Sequence, residues 1–406
     1  MSEFNHAASP HVPMNSLSTL HTATGPKPVA GNVKVAVSHI EYVQSVQDNN
    51  NSIPLVAKKA TVVRVFLNGV GLAEPVLVTG EIACRRGSGG EIFVPALNKV
   101  RLVSGPDRPL TEWRAGLADS LNFRLPPEVT AAGTTRIRLS RLQGDVGIEF
   151  DFDFDSAQGA KSLSFKRSPT LRVKAIGLRY IDGGKTYAPD AVHFSYLRSW
   201  LGRAYPVATV EWSQLVVDAD FAPPFNEEDT PVLANAQVAA LRSRDVSTGV
   251  DPRTHYYGLV SDANGRNFMR GLAFDIPATA NPGVVASGPA GKPAGFNGDF
   301  DLSYADWYGA HELAHTFGRY HPGFPGPNEP GGQDASDPQF PYPDGRISGA
   351  EDGYIGFDVG DADLALPMQV MPGHTCHDVM TYRENQWVSA YTFMAILSRL
   401  LMEDEI

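Results

Sequence analysis

Residues 309–323 read GAHELAHTFGRYHPG, and three histidines fall within this short stretch. On an α-helix, His311 and His315 lie one turn apart on the same face, where both imidazoles can reach one metal ion. Glu312 follows the first histidine, and its carboxylate can serve as a general base toward a water molecule at that metal. The stretch therefore predicts two metal ligands and a catalytic base on one helix.

A third ligand follows the predicted end of this helix. Gly318 suits a helix C-terminus because glycine adopts positive φ without steric cost, so the chain can turn and bring His321 back to the same ion. Three neutral imidazoles with one open position are typical of catalytic zinc, whereas structural zinc is usually closed by four ligands rich in cysteine. Chance would produce this spacing in on the order of one chain in ten thousand. We predict one catalytic Zn²⁺ ion.

A second motif lies about sixty residues further along, where residues 376–385 read CHDVMTYREN. Together with the long zinc motif HELAHTFGRYH, this segment resembles the metzincin clan of zinc metallopeptidases, whose signature is that motif followed by a methionine-containing turn. The resemblance implies that Met380 forms a hydrophobic base beneath the zinc site. It also implies that Tyr382 lies near the metal, as in astacin-like and serralysin-like members, where its hydroxyl can stabilise the oxyanion.

The resemblance covers roughly residues 168–406 and assigns no subfamily. The HPG sequence after His321 is similar to serralysins, but their glycine-rich calcium repeats are absent. The stretch 324–360, dense in Gly, Pro and Asp, departs from compact members. The clan resemblance further implies a secreted protein, although residues 1–28 show no basic segment followed by the apolar segment of a signal peptide.

Substrate contacts are also implied by the resemblance. A protein or peptide substrate would lie extended along the edge strand that precedes the active-site helix, and main-chain pairing would give affinity with little sequence choice. We place that edge strand at Gly283, Val284, Val285, Ala286 and Ser287. The pocket just past the scissile bond would be walled by residues leading into the methionine turn. These are Val370, Met371, Pro372, Gly373 and His374.

The rest of the chain predicts a multidomain protein. Residues 1–28 are polar and lack periodicity, which is typical of a flexible arm. Residues 29–160 contain short β-branched runs separated by Gly, Pro, Asn and Asp turns, which predict an immunoglobulin-like, all-β sandwich serving as an accessory domain. Strands alternate with helices in residues 168–406, which predicts an α/β (α+β) domain, and the resemblance implies that this is a metzincin-like catalytic domain.

Composition excludes several classes of partner. The 406 residues include 34 basic and 45 acidic side chains, so the formal charge is -11, and the long-range field repels nucleic acid and anionic membranes. No run approaches the roughly 18 apolar residues of a membrane span. Cys84 and Cys376 fall in different predicted domains, so we expect two buried thiols and no disulfide framework.

Acidic residues at two places raise the question of calcium. In residues 149–155, EFDFDFD, strand alternation puts the phenylalanines on one face and the carboxylates on the other. We favour a solvated face over a calcium site there. Those carboxylates are Glu149, Asp151, Asp153 and Asp155. Asp299 and Asp301 precede the active-site helix, and we expect them to cap its amino end in preference to binding calcium.

Three functions were weighed. An adhesion or binding protein, whose β-sandwich recognises a partner while the peptidase domain is latent or secondary, would be expected to have lost Glu312 or a ligand, and all are present. A metal-dependent hydrolase could act on another bond, but Met380 and Tyr382 favour peptides. The sequence therefore predicts a zinc-dependent endopeptidase that hydrolyses peptide bonds of protein substrates.

Overall fold

The computed structural model shows a multi-sheet α+β fold with many strands and few helices in the described part of the chain. The described residues are 31–104, 108–144, 148–154, 159–263, 269–293, 299, 301–325, 336–350 and 353–406. The predicted flexible arm and Asp155 lie outside them. None of the described helices is long and apolar enough to span a membrane.

The amino-terminal part consists mainly of strands. They are β1 (Gly31–Val43), β2 (Val46–Gln47), β3 (Leu55–Val56), β4 (Val62–Val70), β5 (Val76–Arg86), β6 (Ile92–Pro95), β7 (Val100–Leu102), β8 (Leu121–Arg124), β9 (Gly133–Gln143), β10 (Ile148–Asp151) and β11 (Ala160–Lys166), with the short helix α1 (Leu110–Arg114) after β7. One sheet has the order β10-β1-β4-β8, and the other has the order β3-β11-β9-β5-β6 with β7 on β5.

These two sheets share one hydrophobic core. Val65 and Phe123 from the first sheet are buried with Ile82 and Ile137 from the second, and Cys84 is buried among them. Period-two alternation produces this arrangement, because every second side chain of a strand faces the opposing sheet. The predicted β-rich character is confirmed, whereas the immunoglobulin-like type stays a prediction.

The remainder of the chain alternates strands and helices. The elements up to the histidine motif are β12 (Leu171–Asp182), β13 (Lys185–Tyr187), α2 (Ala191–Ala204), β14 (Val210–Asp218), α3 (Asp229–Ser247), β15 (His255–Ser261), β16 (Leu272–Ala273), β17 (Ala286–Ala290) and α4 (Ala305–Thr316). The elements after it are β18 (Ile355–Asp358), β19 (Gln369–Pro372), β20 (His377–Asp378), β21 (Gln386–Trp387) and α5 (Ala390–Glu403).

The central sheet carries helices on both faces. Its order is β14-β12-β15-β17-β16, in which the first four strands are parallel and β16 is antiparallel to β17, while β13 folds back on β12. Along β15, Tyr257 and Leu259 face a core shared with α2, α4 and α5. Tyr256 and Val260 face the other way and pack with Val238 of α3. The sheet thus supports α4, which carries the histidine motif.

The predicted edge strand at residues 283–287 is wrong. Strand β17 spans Ala286–Ala290 and lies between β15 and β16, so Ala286 and Ser287 are paired on both sides. The edge strand is β16, where Ala273 lies opposite Ala286. A short apolar run bounded by Pro and Gly is equally typical of an interior strand, because periodicity does not report which neighbours pair with a strand.

Residues 45–59 tie the two parts of the chain together. Strand β2 pairs with β18, and the Ser45 carbonyl accepts hydrogen bonds from Phe357 N at 2.7 Å and from the Trp387 indole N–H at 2.8 Å. Val56 is buried in the same core as α2, α4 and α5. A short piece of the amino-terminal part therefore completes the carboxyl-terminal core, and the domain division at 160–168 stays a prediction.

A buried lysine forms a second connection between the amino-terminal and carboxyl-terminal parts. The Lys59 ammonium donates to the carbonyls of Gly202 at 2.7 Å and Arg203 at 3.0 Å, at the C-terminus of α2. Helix C-terminal carbonyls lack partners within the helix, so this contact satisfies two of them. Burial lowers the pKa of Lys59 to about 7.

Candidate metal centre and active site

Helix α4 ends in a turn that only glycine fits. Gly318 has φ of +78°, and a Cβ there would lie 2.8 Å from the carbonyl oxygen of Pro277. Gly318 N donates to the His315 carbonyl at 2.8 Å and Arg319 N donates to the Ala314 carbonyl at 3.0 Å, which is the hydrogen-bond pattern of a Schellman cap. This turn reverses the chain towards the metal site, as the motif predicts.

Three imidazoles converge beyond the turn. The Nε2 atom of His321 lies 3.2 Å from that of His315 and 3.3 Å from that of His311, and all three residues are buried. Metal–nitrogen bonds of 2.0–2.1 Å in a tetrahedron would place two ligand nitrogens about 3.3–3.4 Å apart. The ligand atoms of the three histidines all lie within 4.8 Å of one another, which is close enough for them to bind one metal ion.

The hydrogen bonds of the Nδ1 atoms, which point away from the centre, determine the protonation of the Nε2 atoms, which point towards it. His311 Nδ1 lies 2.8 Å from the Val379 carbonyl, and His315 Nδ1 lies 2.6 Å from the Arg319 carbonyl. A carbonyl only accepts, so each Nδ1 carries the proton and each Nε2 presents a lone pair to the centre. Lone pairs facing each other at this distance repel unless a cation lies between them, so the residues fit a metal ion.

Burial also keeps two of these imidazoles neutral. Desolvation and the charges of the other two histidines lower the pKa of His311 well below its ordinary value. Burial lowers the pKa of His315 to about 3. Both rings are therefore uncharged at neutral pH, which is the form that binds metals.

Glu312 lies beside this centre and contacts the edge strand. Its carboxylate is buried and accepts a hydrogen bond from the backbone N–H of Ala273 in β16. Burial raises the pKa of Glu312 to about 8, and the bond from Ala273 acts in the opposite direction. A carboxyl group with such a pKa can both accept and release a proton near neutral pH.

The methionine turn is joined directly to a ligand. Val379, whose carbonyl holds His311, precedes Met380, which is buried in the core. Met380 N donates to Asp378 Oδ1 at 2.8 Å and Ser389 N donates to Asp378 Oδ2 at 3.0 Å. The turn is thus fixed by a buried carboxylate that also holds the residue before α5.

Tyr382 lies beside two of the three histidines. Its ring centroid is 5.0 Å from that of His321 and 5.7 Å from that of His311. The side chain is 51% exposed, so its hydroxyl can meet a substrate arriving from solvent. The structure therefore brings together the residues of both sequence motifs.

The two predicted substrate segments lie at different depths. Val284, Val285, Ala286 and Ser287 are buried. In the other segment, Val370, Met371 and Pro372 are half-buried in β19, Gly373 is buried and His374 is exposed. The Pro372 carbonyl accepts hydrogen bonds from Thr375 N and Cys376 N, so β19 runs directly into the methionine turn. Substrate contact by either segment stays a prediction.

The capping prediction for Asp299 and Asp301 is wrong. Tyr304 is the N-cap residue of α4 and makes no side-chain cap. Asp301 instead accepts from Ser303 N at 2.8 Å, and Asp299 accepts from the Trp307 indole N–H at 2.9 Å. Both aspartates approach Asp306, which is buried within α4 and is hydrogen-bonded to Asp301, so they join a cluster of carboxyl groups.

The phenylalanines of residues 149–154 face inward, as predicted. Phe150, Phe152 and Phe154 pack against the amino-terminal core, while Glu149, Asp151 and Asp153 are exposed. Within the described part of the chain, these carboxylates do not come together as a metal-binding group. The acidic face is solvated.

Glu312 has two further neighbours that the sequence motifs do not predict. Gly271 and Tyr308 lie against the carboxylate. Tyr308 could have been found, because it precedes Glu312 by four positions and so shares its helix face. The contact of Gly271 arises from tertiary packing and has no sequence signal.

The chain was compared with protein-family models, curated proteins and solved structures. No family model matches the chain, and no curated protein matches it. One similar solved structure is the crystal structure of metalloproteinase-II from Bacteroides fragilis, with 12% identity, a TM-score of 0.27, and coverage of 89% of this chain and 86% of that chain. At this TM-score the likeness carries no argument about fold or activity.

Proposed function

We propose that the protein is a zinc-dependent endopeptidase that hydrolyses peptide bonds of protein substrates. The observation that carries the proposal is the convergence of three buried imidazole Nε2 atoms next to Glu312, whose buried carboxylate follows the ligand His311 on the same helix. A three-histidine set with an open position is typical of catalytic zinc rather than structural zinc. Met380 and Tyr382, at the positions that the metzincin resemblance implies, favour a peptide bond over other bonds.

Each protein group in this proposal transfers a proton or stabilises a charge that develops during hydrolysis. When bound, zinc supplies Lewis-acid polarisation of the scissile carbonyl and increases the acidity of water. Glu312 accepts a proton from the attacking water and delivers it to the leaving amine. The Tyr382 hydroxyl donates to the oxyanion as it forms. Burial of Glu312 keeps its proton affinity near that required at neutral pH.

Strand β16 is the proposed place of substrate pairing. It is the edge of the central sheet and touches the base through Ala273. An extended peptide can add to such an edge through main-chain hydrogen bonds. We assign this role to β16 in place of residues 283–287, and we retain residues 370–374 as the proposed wall of the pocket past the scissile bond. By the same resemblance we propose that the protein acts outside the cell.

The test compares wild type with Glu312→Gln, using Glu112→Gln on α1 as a matched control. Metal content would be quantified by mass spectrometry, and cleavage of a quenched peptide library would be followed with and without a chelator. We expect one zinc per chain in all three proteins and chelator-sensitive cleavage in wild type and the control alone. If wild type binds zinc and cuts no peptide or protein, the proposal fails and a binding role of the amino-terminal sheets takes its place.

A further inference from the structure

The Glu312 carboxylate rests against a glycine. Gly271 lies immediately before β16, and a Cβ there would lie 2.1 Å from Glu312 Oε1 and 2.5 Å from its Cδ. The same Cβ would lie 2.4 Å from Cε1 of Tyr308. Real Cβ atoms do not approach other atoms this closely, so any side chain at position 271 would displace the carboxylate, the Tyr308 ring or both. Gly271 does not have positive φ. The glycine is therefore required here for space and not for backbone conformation.

Tyr308 fixes the backbone of this glycine. It lies one turn before Glu312 on α4, and its hydroxyl oxygen accepts a hydrogen bond from Gly271 N at 3.0 Å. Burial, followed by the charge of Glu312, raises the pKa of Tyr308 above its ordinary value. The phenol thus stays protonated at neutral pH, and its oxygen accepts the Gly271 N–H as a neutral hydroxyl.

The next two residues are held by other elements. The Leu272 carbonyl accepts from Asn235 Nδ2 of α3 at 2.8 Å, and the Ala273 N–H donates to Glu312. Three successive backbone positions are therefore held, from α4, from α3 and by the base itself. Strand β16 and the carboxylate cannot shift independently.

We propose that Gly271 and Tyr308 are positioning residues that hold β16 and the Glu312 carboxylate in one fixed relation. This inference rests on the proposed function, in which β16 pairs with substrate and Glu312 acts on the bond so presented. The distance between β16 and the Glu312 carboxylate then decides whether the carboxylate can form a hydrogen bond with the reacting water. A misplacement of about 1 Å can lower a catalytic rate about 100-fold.

The activity test uses two variants and two matched controls. Gly271→Ala adds a methyl where the carboxylate lies, whereas Gly90→Ala adds one at an open position. Tyr308→Phe removes the hydroxyl held by Gly271, whereas Tyr304→Phe removes one on the preceding turn that donates to Asp262. We expect kcat to fall about 100-fold in Gly271→Ala and about 10-fold in Tyr308→Phe, with KM and zinc content nearly unchanged and a lower melting temperature in both variants. The controls should match wild type.

A second measurement is independent of activity. Hydrogen–deuterium exchange of a peptide covering Gly271 should become about 10-fold faster in Tyr308→Phe and stay unchanged in Tyr304→Phe. If wild type cleaves nothing, faster exchange still supports the contact while the proposed function alone fails. Normal kcat in Tyr308→Phe, with active wild type, would overturn the inference. So would a loss of kcat in Gly271→Ala that is matched by loss of zinc.

Discussion

At the scale of single residues, the histidine centre depends on which nitrogen holds each proton. The carbonyls of Val379 and Arg319 fix the protons of His311 and His315 on Nδ1. The Nε2 lone pairs of these two residues then point to the centre, where Nε2 of His321 lies 3.3 Å from that of His311 and 3.2 Å from that of His315. This arrangement stores repulsion that a cation relieves, so metal binding and stability are coupled at this site.

Metal removal should therefore destabilise the fold. With free zinc at 100 times the dissociation constant, binding to the folded state adds about 2.7 kcal/mol to the free energy of unfolding. We expect a chelator to lower the melting temperature reversibly in wild type, and to have no effect on His315→Ala. Calorimetry before and after dialysis against zinc would measure this. An unchanged melting temperature in chelated wild type would contradict it.

A second residue-scale prediction concerns the carboxyl cluster. Burial, then the charges of Asp301 and Asp299, raise the pKa of Asp306 well above its ordinary value. Since the folded pKa exceeds the unfolded value of about 3.9, the folded state binds the proton more tightly. This contribution to stability is present below pH 4 and is lost as the pH rises towards the folded pKa.

Asp306→Asn should therefore stabilise the protein more at pH 8 than at pH 5. We expect the gain in free energy of unfolding to be larger at pH 8 by about 1 kcal/mol or more. Urea unfolding at both pH values would measure it, with the exposed Asp220→Asn as control. Equal effects at the two pH values would show that Asp306 is not held in its protonated form.

At the scale of elements, the end of α4 decides whether the third ligand arrives. Gly318→Ala should cost about 1–2 kcal/mol for the left-handed conformation alone, and the nearby Pro277 carbonyl adds a clash. We expect lower melting temperature together with weaker zinc binding, because His321 would be displaced. Gly202→Ala in α2, where the added Cβ meets nothing, should be neutral or stabilising. Normal zinc affinity in Gly318→Ala would refute the role of this turn.

The elements that the sequence predicts well are those long enough to show several repeats of a helical pattern. The alternation of strands and helices in residues 168–406 is predicted correctly, and α4 follows from the motif. Two-residue strands carry no periodicity, so β16 could not be separated from the run at residues 283–287 as the edge. The contact between Gly271 and Glu312 joins segments about forty residues apart, and it likewise leaves no local pattern.

At the scale of the whole molecule, the amino-terminal part is a structural component of the carboxyl-terminal core. Lys59→Met would leave the carbonyls of Gly202 and Arg203 without this donor, and we expect a loss of about 1–3 kcal/mol. Burial lowers the pKa of Lys59 to about 7 from 10.5. Between these values the unfolded state binds more protons, so this residue makes wild-type stability rise with pH.

The deficit of Lys59→Met should therefore be larger at pH 9.5 than at pH 7. Urea midpoints at the two pH values would show it, and the exposed Lys161→Met provides the comparison. A variant as stable as wild type at both pH values would mean that Lys59 does not join the two parts. The sequence could not predict this tie, because Lys59 lies in a strand-rich region where lysine usually faces solvent.

The bond between Ser45 and Trp387 spans 342 positions, and this has a consequence for biosynthesis. The amino-terminal segment leaves the ribosome long before β18 and Trp387 exist to cover it. Its apolar residues stay exposed or bound to chaperones until residues 355–387 have been translated. The methionine turn, which holds His311, emerges in the same late interval. A nascent chain therefore has all three histidines before the carbonyl that orients His311, and we expect ribosome-bound intermediates to bind a metal ion more weakly than the folded chain does.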